Sequence, residues 1–144
     1  TYMTNYAEKY PGILAYMETL KQEARQKGYV TTAWGRRCYT PGIHDKNPAL
    51  RGFAERQAIN APLQGTAADI MKIAMIKVKN FIKGLDYQVH LLLQVHDELI
   101  FDVPKLQADL FMSHIKDIME SAATLTVPLK VDGGCGITWT YAHA

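Results

Sequence analysis

Apolar residues recur at three- and four-residue spacing from Tyr6 through Tyr10, Ile13, Leu14, Met17 and Leu20 to Ala24, with Lys and Glu between them. That period predicts a helix over residues 5–27, with Pro11-Gly12 as an interruption or kink and Gly28 as its stop. Residues 29–40 change character. Tyr29-Val30-Thr31-Thr32 and Arg37-Cys38-Tyr39-Thr40 are β-prone and flank Trp34-Gly35, so a short hairpin is expected. Pro41 to Pro48 reads as a loop. Residues 49–83 return to a helical period. The spacing favours one long helix bent near Pro62, while Thr66-x-x-Asp69 as the capping box of a second helix is the alternative. Ile70, Ile73, Ala74, Ile76, Val78 and Phe81 are its expected buried stripe.

Two apolar runs, Leu91-Leu92-Leu93-Gln94-Val95 and Leu99-Ile100-Phe101-Asp102-Val103, then bracket His96-Asp97-Glu98. Runs of this length and composition predict two strands, and the polar break predicts the tip of a hairpin over residues 88–103. Pro104 ends the second strand. A helix over residues 105–122 should turn Leu106, Leu110, Ile115, Ile118 and Met119 inward, and Val127–Asp132 reads as a last strand. The strands are joined by hairpins or separated by a helix without regular alternation. That pattern predicts an α+β fold: a small antiparallel sheet packed against long helices, with residues 1–144 as a single domain.

Two groups of residues carry candidate chemistry. Asp97 and Glu98 place adjacent carboxylates on the hairpin tip, where a divalent cation would relieve their repulsion. An ordinary acidic turn is the alternative. Arg56, Asn60 and Gln64 stand at i, i+4 and i+8. Each step of four rotates by about 40° on a helix, so the three make one file of hydrogen-bonding side chains. Such a file suits the acceptors that every base pair presents in the minor groove, and a solvated helix face is the alternative.

Composition changes this picture little. The chain has 144 residues, 48% hydrophobic and 21% charged, with a net charge of +2, too weak to establish a nucleic-acid partner. Cys38 and Cys135 form no metal-ligand pattern, which favours a reducing compartment. No apolar run is long enough to span a membrane. The start at Thr1 has neither an initiator Met nor a signal peptide, which suggests a piece of a longer polypeptide.

Gln94-Val95-His96-Asp97-Glu98 resembles motif C of the family A DNA polymerases, the bacterial DNA polymerase I family. Glu55 to Asp69, containing Arg56, Asn60 and Gln64, resembles the long palm helix that precedes that motif. Tyr10-Pro11-Gly12, Gly28-Tyr29-Val30-x-Thr32, Gly35-Arg36-Arg37 and Gly134-Cys135-Gly136-x-x-Trp139 match in order and spacing. The resemblance implies the C-terminal part of a polymerase palm, and with it DNA-templated transfer of deoxynucleotides to a primer 3′ hydroxyl in replication or repair. It implies two Mg2+ ions in the complete enzyme, with Asp97 as a ligand, Glu98 as a weaker one and His96 near the primer end. Arg56, Asn60 and Gln64 match positions that contact the duplex, and Arg36 and Arg37 are candidates for phosphate contacts. Primer–template DNA and deoxynucleoside triphosphates are the implied partners. The implied location is the bacterial cytoplasm, or an organelle. The family's other catalytic Asp and its fingers helix have no counterpart here. The isolated segment is therefore expected to be inactive and, with a strand edge left open, to self-associate. A non-catalytic duplex-binding module is the alternative function.

Overall fold

The computed structural model describes residues 8–143, so Tyr6 and the start of the expected first helix lie outside the described residues. The chain divides into two compact units, residues 1–67 and 68–144.

In the first unit, α1 (Pro11–Lys27) starts with Pro at its first position, where a missing N–H costs nothing. It ends on Gly28 in the left-handed region, whose N–H donates to the Ala24 carbonyl at 2.8 Å. The chain passes directly into β1 (Tyr29–Thr31), which pairs antiparallel with β2 (Arg37–Tyr39). The next helix, α2 (Pro48–Ile82), is 35 residues long. Asn47 caps it: the Asn47 side-chain oxygen accepts the Ala49 N–H at 2.9 Å. Leu20, Ala24, Val30, Ile43, Ala54 and Ala58 form the core of this unit. Arg25 ties α1 to α2 through a 2.7 Å bond to Glu55. Only the last turns of α1 are covered. Tyr10, Ile13 and Leu14 of the apolar period face solvent.

The alternative of two helices fails, because α2 runs unbroken through the buried Pro62. Thr66 caps nothing. Its hydroxyl instead accepts the Ala33 N–H at 2.9 Å, and the Gly65 carbonyl accepts Arg36 Nη2 at 3.0 Å. The β1–β2 turn is thereby fastened to α2. This approach requires a glycine: a Cβ on Gly65 would lie 2.7 Å from the methyl of the buried Thr32 and 3.1 Å from Arg36 Nη2. Gly65→Ala should therefore lose about 1–3 kcal/mol to overpacking, more than the ~1 kcal/mol that alanine adds in a helix interior. Gly52→Ala in the same helix meets only Arg56 Nη1, at 3.6 Å, and should gain stability. Thermal unfolding of the two variants should move in opposite directions.

In the second unit, the distal half of α2 packs Val78 against Phe111 and Ile115 of α3 (Ala108–Glu120), with Phe81, Leu99, Phe101, Ile118 and Met119 around them. The hairpin pairs β3 (His90–Val95) with β4 (Glu98–Asp102), and a bulge at Leu92 shifts the register between Leu91 and Leu93. The outcome confirms an α+β fold built on small antiparallel ladders, one in each unit.

Four local expectations are corrected. Ile76 is exposed, because the buried face of α2 passes through Ala74 and Val78. Leu106 is 95% exposed on a 3-10 turn (Lys105–Gln107) that precedes α3, whose Ile115, Ile118 and Met119 lie inward as expected. Phe111 takes the buried position assigned to Leu110, which faces solvent. Residues 127–132 form no strand. Pro128 has no N–H to offer a ladder, and the Val131 N–H donates to the Glu120 carboxylate at 3.0 Å instead. A short helix, α4 (Trp139–Ala142), was not anticipated.

Candidate functional site

The first group of candidate residues lies on α2. Arg56, Asn60 and Gln64 are all exposed on one continuous helix, so the file expected from their spacing forms. Arg36 and Arg37 are exposed residues of the β1–β2 hairpin, but both have structural work. Arg36 bonds to the Gly65 carbonyl, and the Arg37 guanidinium stacks 4.9 Å from the Tyr29 ring centre.

The second group lies on the β3–β4 turn. Val95 and Glu98 form the closing pair, leaving His96 and Asp97 as a two-residue loop. His96 has φ +51°, the only positive value for a non-glycine among the described residues. Glycine is the usual occupant of such a first turn position, so a histidine here stores on the order of 1–3 kcal/mol of strain. Gln94 helps to hold it: its side-chain amide donates to the His96 carbonyl at 2.6 Å. Asp97 is exposed at the tip, and Glu98 is half-buried below it.

Asp97 and Glu98 line a cleft of about 750 Å³ together with β4, α3 and the segment Val131–His143. His143 Nε2 lies 3.4 Å from Glu98 Oε1. The close packing of α4 depends on two glycines: a Cβ on Gly134 would collide with the Ala142 carbonyl, and one on Gly136 would lie 2.6 Å from the Ala142 nitrogen. His143 is the residue that the sequence reading missed. Its signal was indirect, because the motif ending at Trp139 was legible while a contact four residues beyond it was not. Desolvation, with a smaller push from Asp109, raises the Cys135 thiol above its ordinary value, which favours the protonated form at neutral pH.

The carboxylates are hard oxygen donors that suit Mg2+. Among the described residues, however, no three His, Cys, Asp or Glu side chains converge into a metal-holding group. No helix among the described residues is long and apolar enough to cross a membrane.

The family model for DNA polymerase family A matches residues 1–141. DNA polymerase I of Pseudomonas aeruginosa is 49% identical over 142 residues, covering 99% of this chain and 16% of that protein. DNA polymerase I of Lactococcus lactis is 51% identical over 138 residues, again covering 16% of its length. Among solved structures, the POL domain of Pol1 from M. smegmatis, in complex with DNA primer-template and dNTP, superposes with a TM-score of 0.93 at 40% identity. That match covers 99% of this chain and 25% of the other. The chain thus spans about a sixth of the curated relatives' length, and it belongs to the family A DNA polymerases.

Proposed function

We propose that the full-length protein is a DNA-directed DNA polymerase acting in replication or repair, and that these 144 residues are the C-terminal part of its palm. The observation that carries this reading is the Asp97–Glu98 pair, raised on a strained and braced turn at the edge of a cleft. It belongs to a chain whose backbone matches a polymerase domain solved with primer-template and dNTP. In the reaction a primer 3′ hydroxyl attacks the α-phosphate of a deoxynucleoside triphosphate, and pyrophosphate leaves. Mg2+ supplies charge neutralisation for such a transfer when bound. Asp97 is the donor this chain offers to it, with Glu98 second, and the remaining donors come from elsewhere in the polypeptide. His96 fixes the turn that aims Asp97 and lies near the primer end. Without the other donors, the 144 residues alone do not extend a primer.

Arg56, Asn60 and Gln64 hold the duplex by donating to minor-groove acceptors common to all base pairs, which suits a copying enzyme. Replacing each with Ala in the full-length enzyme should raise the primer–template Kd about three- to tenfold, since one hydrogen bond contributes about 1 kcal/mol. The loss should be the same for duplexes of different sequence. Fluorescence anisotropy with two unrelated primer–templates checks this, and unchanged affinity in all three variants would remove the duplex reading of the file.

A further inference from the structure

The β1–β2 turn presents a side chain that the reading above does not use. Trp34 stands at its tip, 47% exposed. A single exposed aromatic is ordinary on a protein surface. This one differs in how its backbone is held. Thr32 N–H donates to the Arg36 carbonyl at 3.0 Å, and Gly35 N–H to the Thr32 carbonyl at 2.9 Å. Arg36 N–H donates to the buried Thr32 hydroxyl at 3.2 Å. The bonds from Ala33 to Thr66 and from Arg36 to Gly65 then fix the turn on α2, at the two residues that follow Gln64. The indole is therefore carried on a rigid support beside the end of the donor file. The turn itself carries cations: residues 33–37 contain Arg36 and Arg37 and no carboxylate. A rigid aromatic in a basic setting is the combination that binds unpaired bases, the ring stacking on the base while cations meet the backbone.

We infer that Trp34 is a stacking contact for an unpaired base of the template strand, next to the junction with the duplex. The inference rests on the duplex reading of the Arg56–Asn60–Gln64 file. An indole has no flat face to meet inside a paired stack, so it acts where the stack ends. The occupant is nucleic acid with a single-strand–duplex junction, recognised by its exposed base and not by its sequence.

The test uses the full-length polymerase carrying Trp34→Ala, Trp34→Phe or Gln64→Ala. Binding is measured by anisotropy to a primer–template with a 5′ overhang and to a blunt duplex of the same length. Trp34→Ala should weaken overhang binding about tenfold, with little change on the blunt duplex. Trp34→Phe should recover most of the loss because it keeps a ring. A 2-aminopurine in the first unpaired template position should brighten on replacement of Trp34 by Ala, as the base loses its stacking partner, and the melting temperature should not move. Equal losses on both substrates, or no loss on either, would overturn the inference. Gln64→Ala separates the two readings: a loss there on both substrates, with none at Trp34, would overturn the stacking contact and leave the duplex file standing.

Discussion

Asp97→Asn in the full-length enzyme should lower the rate of primer extension on the order of 10³-fold, the cost of removing one preorganised charge from a reacting centre. The substitution isolates the charge. Asp97 is exposed at the tip of a two-residue turn, and an amide of the same shape fits there without repacking anything. Affinity for primer–template should stay within about twofold, because the loss falls on the chemical step and not on uniform binding. Glu98→Gln should cost less. Its carboxylate lies half-buried beside His143, so part of its role is to hold the Val131–His143 segment against the hairpin. Single-turnover extension, with binding measured in parallel, decides the matter. A rate within tenfold of the parent for Asp97→Asn would make the pair an ordinary acidic turn.

The elements near this turn were legible because their patterns are strong. The two apolar runs around His96-Asp97-Glu98 gave both strands and the tip between them, but the tip is one residue shorter than expected, because Glu98 belongs to β4 and pairs with Val95. The backbone of His96 was not legible. Positive φ is normally signalled by Gly or Asn, and here it falls on a histidine supported by a hydrogen bond from Gln94. The donor file was legible as well, since i, i+4 spacing survives on any continuous helix, and α2 absorbs Pro62 without breaking. What failed was the start of α3. A 3-10 turn takes Leu106 out of the helix and Leu110 faces solvent, whereas Ile115, Ile118 and Met119 lie inward as expected, with Phe111 one turn before Ile115. The expected strand at 127–132 failed for another reason. A side-chain carboxylate from Glu120 took the backbone donor that a ladder would have used. Arg36 was legible as a cation of the β1–β2 hairpin, but its bond to the Gly65 carbonyl depends on a contact 29 residues away.

The burial of Phe111 in place of Leu110 has a measurable consequence. Phe111→Ala should cost about 3–5 kcal/mol, the range for a buried aromatic, whereas Leu110→Ala should stay within about 0.5 kcal/mol. Phe111 is 3% exposed. Its ring meets Phe101 edge-on at 5.2 Å and lies 6.2 Å from Phe81, with Val78 in the same cluster. Phe101 and Leu99 belong to β4, so this ring anchors the hairpin that carries Asp97. A two-stranded hairpin is marginal in water without such a support. Loss of Phe111 should therefore release the turn as well as weaken the core. Hydrogen exchange of the β3–β4 amides in the full-length enzyme is the suitable probe, because a protein of several domains need not unfold in one step. Protection there should fall by two or more orders of magnitude in Phe111→Ala, in line with the energy above, and primer extension should fall with it. Protection should be unchanged in Leu110→Ala. If Leu110→Ala were the damaging variant, Leu110 and not Phe111 would face the core, and the anchoring of the hairpin through Phe101 would be wrong.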